Sequence, residues 1–281
     1  MTHAAGAATR VFALLGDPVA HSLSPTFQNA ALRALGLDGV YVALRCGAED
    51  LPPLLRALAR AGGGGNVTVP HKTLAAGAVD DASDAVRRTG ACNTFWLEDG
   101  RVRGDNTDVE GVRGAIDALI GPPRGASVLV LGAGGAAAAT VCALADEGAG
   151  RIVIANRTTA AARALAARFP EGPRIDTAAP GDVSAGERFD LVVNATSLGL
   201  RLADPLPLDP ERGPAAGAAL DLVYSPGGTP WMRAMRARGV PAADGTGMLL
   251  LQGAAAFRRW WGVDPPLAAM RDALAHLHPA R

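Results

Sequence analysis

From Gly125 to Ala145 the chain carries no charged side chain. An uncharged run of about that length either crosses a membrane or folds into the buried middle of a globular domain. Its internal order decides between the two. Four glycines fall within Gly125–Gly135 and alanine dominates afterwards, so the run reads as a buried strand (Val128–Leu131), a tight turn, and a buried helix to about Glu147. The turn, Gly132-Ala133-Gly134-Gly135-Ala136-Ala137, has the spacing G-x-G-x-x-A. The first glycine makes the turn, the second lets a pyrophosphate approach the backbone, and the small third residue lets helix and strand pack closely. The expectation is a doubly wound, Rossmann-type parallel sheet that holds a dinucleotide at this turn.

The next strand, Arg151–Ala155, ends in Asn156-Arg157-Thr158. An Asp or Glu about 20 residues past the glycines would hold the ribose 2′-hydroxyl of NAD. Here there is none. Asn156, Arg157 and Thr158 can all donate to a 2′-phosphate, and a guanidinium matches phosphate geometry. This selects NADP, although Thr158 is also suited to capping the following helix. Phe189–Asn194 and Ala219–Val223 read as further strands. Their carboxyl ends carry Asn194-Ala195-Thr196-Ser197-Leu198-Gly199 and Tyr224-Ser225-Pro226, where a doubly wound sheet lines its crevice. Helices follow at Pro230–Arg238, Met248–Trp261 after Asp244-Gly245-Thr246-Gly247, and Pro266–His276. Gln252 is the polar exception in its apolar stretch. These last helices are expected to pack back on the first half of the chain.

In that first half, Lys72 is the only lysine, and the other 26 of the 27 basic residues are arginine. A bias that replaced lysine everywhere else left this one in place. Arginine cannot release its proton at accessible pH, whereas a lysine ammonium can be tuned to do so, so Lys72 is a candidate catalytic residue. It follows Asn66-Val67-Thr68-Val69-Pro70-His71, read as a short strand over Asn66–Val69 with Pro70 opening a helix over Lys72–Val79. The elements before it are a strand at Val11–Gly16, a helix to Leu35 capped by Ser24 with Pro25 inside it, a strand at Val40–Leu44, and a helix over Glu49–Ala61 ended by Gly62–Gly65. Together they give the β-α-β order of a parallel α/β sheet. Ser22 and Ser24 at a helix N-terminus are suited to donating to an anion such as a carboxylate, or to simple capping. After a short helix near Ala82–Arg88, Ala91–Leu97 and Arg101–Gly104 form a hairpin across Glu98-Asp99-Gly100. Asn93 and the run Asp105-Asn106-Thr107-Asp108 concentrate hydrogen-bonding groups just before a helix to Ile120. Asp108 can cap that helix, or meet Lys72 and relay a proton. Gly121-Pro122-Pro123-Arg124-Gly125 is a connector.

Net charge is zero and pI near 7, which leaves no basic face for nucleic acid and no charged tail for a membrane surface. Cys46, Cys92 and Cys142 show no metal-ligand or disulfide spacing, so no metal site is expected and a reducing, cytoplasmic setting is. Met1–Arg10 has no apolar core of a signal peptide.

Taken in order, these motifs resemble the shikimate dehydrogenase family over nearly the whole chain. The resemblance rests on Ser22-Leu23-Ser24-Pro25, Asn66 to Lys72, Asn93-Thr94, Gly104 to Asp108, Gly132 to Ala136, Asn156-Arg157-Thr158, Asn194-Ala195-Thr196, Asp221 to Tyr224, and Asp244 to Met248 with Gln252. It implies NADP-dependent, reversible reduction of 3-dehydroshikimate to shikimate in chorismate and aromatic amino acid biosynthesis, by a monomer or homodimer. It also implies a discontinuous substrate-binding domain (1–107 plus 246–281) and a dinucleotide-binding domain (108–245). Lys72 and Asp108 would be the catalytic pair. Ser22 and Ser24 would hold the substrate carboxylate. Thr68, Asn93, Asp108 and Gln252 would bind its hydroxyls, with Tyr224 nearby. Gly132, Ala133, Gly134, Gly135, Ala136, Asn156, Arg157, Thr158, Thr196 and Gly245 would line the cofactor. Two departures stand out: Ala137-Ala138-Ala139 where the family often has an arginine, which removes a phosphate contact, and Thr246 where leucine is common. The rival readings are a quinate or aminoshikimate dehydrogenase using NAD, a non-catalytic NADP sensor on the same fold, and a Schiff-base role for Lys72.

Overall fold

The computed structural model describes residues 6–201, 203–225 and 227–275. Residues 1–5, Pro226 in the loop after Tyr224, and His276 at the expected end of the last helix lie outside the described residues. Contacts divide the chain into one unit running to Asp108 and resuming at Leu250, and a second spanning Val109–Leu249.

The first unit contains β1 (Arg10–Gly16), α1 (Ser24–Leu35), β2 (Gly39–Arg45), α2 (Leu51–Arg60), β3 (Gly64–Val67), α3 (Lys72–Ala76), β4 (Asp81–Ala82), α4 (Asp84–Thr89), β5 (Thr94–Glu98) and β6 (Arg101–Asp105). Its strand order is β2-β1-β3-β5-β6-β4. The β-α-β part is parallel as expected, and the expected hairpin makes the whole sheet mixed. β2, β1 and β3 are parallel, but the β5–β6 hairpin enters antiparallel to β3, and β4 then runs parallel to β6. The hairpin turns on Asp99 and Gly100, both at positive φ (51° and 73°), as a two-residue turn matched to strand twist requires.

Alternation along β1 sends Ala13 and Leu15 to one core with Leu51, Leu55 and Phe95. It sends Phe12 and Leu14 to another with Tyr41 and Trp260. The Trp260 ring lies 5.0 Å from Phe12 and 5.8 Å from Tyr41, and its Nε1 donates to the Phe95 carbonyl at 3.2 Å.

The glycines taken as the stop of α2 have a second use. α2 ends at Arg60, while Gly64 and Gly65 lie inside β3. A Cβ on Gly65 would sit 2.0 Å from the Ala13 oxygen, and one on Gly64 2.6 Å from that of Phe95. Only glycine lets these strands approach so closely. The strand therefore starts earlier than expected and ends at Val67, leaving Thr68 and Val69 beyond it. Pro70 lies in a turn rather than in the helix, and His71 takes the cap position of α3. That helix stops at Ala76, short of the expected Val79. Ser24 is the first residue of α1 rather than its cap; Leu23 takes the cap position without a side-chain bond.

The second unit opens with α5 (Asp108–Ile120), which starts on the last residue of the first, and continues through β7 (Ser127–Leu131), α6 (Gly135–Asp146), β8 (Arg151–Ala155), α7 (Thr159–Ala166), β9 (Arg174–Ala178), a short 3-10 turn, β10 (Arg188–Asn194), β11 (Ala215–Asp221), α8 (Pro230–Ala237) and β12 (Ala242–Ala243). The order β12-β11-β10-β7-β8-β9 is parallel throughout. It is the doubly wound order that reverses direction between β7 and β10. The uncharged run is explained by α6, which is buried from Ala137 through Leu144. Among the described residues no helix is long and apolar enough to cross a membrane. β9 has no apolar alternation to reveal it. It is an edge strand whose Asp176 takes Arg151 Nε at 2.9 Å and Arg174 Nε at 3.0 Å. α9 (Thr246–Trp261) begins two residues before the expected Met248, where Thr246 N donates to Asp244 Oδ1 at 3.0 Å. It carries the chain back into the first unit, where α10 (Leu267–Ala275) follows.

Candidate active site

In the first unit, Lys72 opens α3 and Asp108 stands three residues past the end of β6. Lys72 Nζ donates to Asp108 Oδ2 at 2.5 Å, with side-chain exposures of 22% and 6%. The other oxygen, Oδ1, accepts Asn93 Nδ2 at 2.8 Å, and Asn93 Nδ2 also reaches Gln252 Oε1 at 3.4 Å. Asn93 Oδ1 in turn accepts the Thr107 N–H (2.8 Å) and the hydroxyls of Thr94 (2.9 Å) and Thr107 (3.1 Å). Asn93 thereby binds both ends of the Asp108 loop. Each group in this web is buried except the Lys72 ammonium, so the one titratable cation is presented at the edge of a rigid array of satisfied partners. Next to Asn93, burial pushes the Cys92 thiol up to about 12, with a hydrogen bond to the Thr94 carbonyl opposing it. Cys92 N also holds the Lys72 carbonyl at 2.9 Å.

A second buried layer supports the first. Tyr41 donates its hydroxyl to Asn66 Oδ1 at 2.8 Å, and Asn66 Nδ2 donates to the Asn93 carbonyl (3.0 Å) and Thr94 Oγ1 (2.9 Å). Burial holds the Tyr41 phenol far above its ordinary value, with Ser24 as the opposing hydrogen-bond partner. Tyr41 is thus a fixed donor. Ser24 is buried, and its N–H donates to Ser22 Oγ at 3.2 Å. Thr68 is half-buried, and its Cγ2 would be 2.4 Å from a Cβ on Gly16.

In the second unit, Gly132 has φ +110°, and a Cβ there would lie 2.8 Å from the Ala195 oxygen. The turn therefore requires glycine both for its backbone angle and for its contact with the end of β10. Gly134 caps α6 with no side chain on the first N–H groups, which leaves a helix N-terminus suited to a phosphate. Gly135 is exposed, and Ala133 and Ala136 are half-buried. At the end of β8, Asn156 Nδ2 bonds the Thr158 carbonyl at 2.9 Å, and Arg157 and Thr158 are exposed. Thr158 occupies the cap position of α7, yet its side chain makes no cap bond. The cradle, the bare helix end and the absence of a carboxylate beside Arg157 fit a dinucleotide with a 2′-phosphate.

Family models match residues 14–95 as a shikimate dehydrogenase substrate-binding domain, 118–201 as a shikimate/quinate 5-dehydrogenase, and 245–275 as a shikimate 5′-dehydrogenase C-terminal domain. A shikimate dehydrogenase (NADP(+)) of Methylocella silvestris is 45% identical over 92% of both chains. The chain belongs to the shikimate dehydrogenase family. Among solved structures, shikimate 5-dehydrogenase of Thermus thermophilus in complex with NADP(H) and shikimate is 40% identical, covers 95% of this chain and 98% of its own, and superposes with a TM-score of 0.84. That of Listeria monocytogenes in complex with shikimate and NAD is 28% identical, covers 98% and 99%, and has a TM-score of 0.86.

Within this shikimate dehydrogenase fold, the first unit brings together Lys72, Asn93, Asp108 and Gln252. Ser24 joins the Tyr41–Asn66 layer, while the side chains of Ser22 and Thr68 stay outside the hydrogen bonds of the Lys72 web. Tyr224, Thr196 and Gly245 belong to the second unit. Thr196 N and Oγ1 donate to Asn194 Oδ1 at 3.1 and 2.7 Å. Gly245 packs where a Cβ would meet the Leu222 oxygen at 2.3 Å, and burial raises the Tyr224 phenol. Tyr41 escaped the sequence reading because one tyrosine in an apolar strand reads as core. Asn66 lay in the motif, but only the strand register turns it inward under Asn93. The clue available was its alternation with Val67.

Proposed function

We propose that this protein catalyses the reversible, NADP-dependent interconversion of 3-dehydroshikimate and shikimate, the dehydrogenase step of chorismate and aromatic amino acid biosynthesis, in the cytoplasm. The observation that carries this reading is the 2.5 Å Lys72–Asp108 contact braced by Asn93 in a chain of this family. NADPH, when bound, supplies the hydride. Lys72 uses one of its three N–H bonds for a hydrogen bond to Asp108 and keeps the others for the reacting oxygen. In the direction of reduction it stabilises negative charge on that oxygen and transfers a proton to it. In the direction of oxidation it takes the proton back. An arginine would supply the charge but not the proton transfer.

Asp108 orients the ammonium and accepts from a substrate hydroxyl. Asn93, Gln252 and Thr68 bind the remaining hydroxyls, Ser22 and Ser24 hold the carboxylate, and Tyr224 is a further substrate-binding residue. The turn Gly132–Ala136 and the first N–H groups of α6 take the pyrophosphate. Asn156, Arg157 and Thr158 take the 2′-phosphate, and Thr196 and Gly245 line the cofactor. The substrate-binding domain is residues 1–107 with 246–281, and the dinucleotide-binding domain is 108–245. The molecule acts as a monomer or homodimer.

Steady-state oxidation of shikimate, followed by reduced-cofactor absorbance with NADP and NAD in parallel and quinate as second substrate, tests the proposal. Fast turnover with shikimate and NADP is the expected result. Preference for NAD or quinate would overturn the specificity, and NADP binding without turnover would overturn the catalytic role.

A further inference from the structure

We propose that Arg259 is a positioning residue: acting from α9 through Asp105, it fixes the loop that presents Asp108 to Lys72. The inference rests on the reading of Lys72 and Asp108 as the catalytic pair. Asp105 is the last residue of β6. Arg259 Nε and Nη2 both donate to its Oδ2 at 3.0 Å, with side-chain exposures of 28% for the arginine and 10% for the aspartate. Its Oδ1 accepts Ser83 Oγ at 2.5 Å and the Asn106 N–H at 2.8 Å. Asn106 Oδ1 then accepts the Asp108 N–H at 3.3 Å. A continuous line of hydrogen bonds therefore runs from the guanidinium to the backbone of Asp108.

The same helix grips the loop twice. Gln252 and Arg259 are about two turns apart on α9 and share a face. Gln252 meets Asn93 on the Lys72 side, and Arg259 meets Asp105 at the strand end. Asn93 and Asp105 are themselves joined, because Asn93 N donates to the Asp105 carbonyl at 3.0 Å. α9 is held in turn by Trp260 on Phe95, and by Gln28 Nε2 on the Gly253 carbonyl at 2.9 Å.

Removal of the guanidinium has a specific consequence. Asp105 Oδ2 would lose both donors while remaining an almost buried anion, which is costly. A cavity of about 420 Å³ adjoins it, lined by Asp81, Ser83, Arg87, Trp96, Arg103 and Arg259 among others. Turning the carboxylate toward that cavity restores its solvation, but it draws Oδ1 away from Asn106 N and releases the Asp108 loop. Proton transfer is sensitive to displacements on the order of 1 Å.

The test combines Arg259→Ala, which empties space beside the cavity, with Arg259→Met, which fills it without donors. Both variants are expected to lower kcat for shikimate oxidation by about 10–100-fold with the KM for NADP unchanged, the loss expected of a misplacement on the order of 1 Å. Ethylguanidinium at tens of millimolar, well below denaturing levels, is expected to restore Arg259→Ala saturably and to leave Arg259→Met and wild type unaffected. Thermal melts establish that the measured protein is folded. Wild-type kcat in either folded variant overturns the proposal, as does equal rescue of both or rescue of neither. Lys72→Ala, run in parallel, separates the two readings: if it retains turnover, the catalytic pair itself is wrong, whatever Arg259 does.

Discussion

The rim that carries Lys72 and the turn that begins at Gly132 are both strand-end loops followed by helices, and they are built in opposite ways. Around Lys72 the work is done by side chains bonded to one another: Asn93, Thr94, Thr107, Asp108 and Gln252 exchange hydrogen bonds inside the unit. Around Gly132 it is done by backbone and by the absence of side chains: a positive φ, an uncapped helix start and a row of alanines. A proton-transfer pair needs a fixed distance, which cross-bracing supplies at the cost of demanding each residue type. A diphosphate needs N–H groups and room, which glycine at the turn and small residues after it allow. Isosteric changes should therefore damage the first loop and bulky ones the second.

The largest effect expected is that of Lys72→Ala, with kcat falling by about 10²–10⁴-fold and shikimate binding changed modestly. Stopped-flow and equilibrium binding would check both halves. Asp108→Asn keeps the shape but puts a carboxamide where two donors converge, so kcat should fall by about 10²-fold or more while NADP affinity holds. A loss shared equally between kcat and NADP binding would erase the contrast drawn above. In the second loop, Gly132→Val should raise the KM for NADP and lower stability by about 1–3 kcal/mol, read by urea titration, since both φ and the Ala195 oxygen oppose a Cβ. Arg157→Ala should weaken NADP by about 10-fold, the worth of a charge-assisted bond, and leave NAD unchanged. An equal loss for both cofactors would remove Arg157 from the 2′-phosphate site.

The smallest effect concerns pH. Burial raises the Asp221 carboxyl above its ordinary range, against donors from Thr229, Asn194 and Val223 N. The folded state thus holds this proton more tightly than the unfolded chain. Its stabilising contribution is complete below the unfolded value near 4, and is lost as pH rises through the folded value. Asp221→Asn should flatten that fall in a plot of urea midpoint against pH.

Much of this was legible in the sequence. The Asp99-Gly100 hairpin, the glycine turn, the carboxylate-free end of β8 and the singular lysine were all visible because each depends on local chemistry: backbone angles, charge, and residues close in sequence. Where local signals misled, a distant neighbour was the cause. Gly64 and Gly65 look like a helix stop until Ala13 and Phe95 come against them. β9 carries no apolar alternation to mark it, and Arg151 meets Asp176 only in the folded sheet. Tyr41 looks like core until its hydroxyl meets Asn66.

The residue types of the proposed catalytic web and the identity of the turn were determined by the sequence alone, since proton transfer requires a titratable cation and a tight phosphate turn requires glycine. Only the tertiary structure decided that Asn93 would be the hub of that web, that Gln252 would reach it and Arg259 would reach Asp105 from a helix more than a hundred residues away, and that Tyr41 would stand beneath it. These depend on strand register and on the packing of Trp260 and Gly253. Burial makes each buried polar group choose a partner by proximity in space, and a sequence does not record that distance.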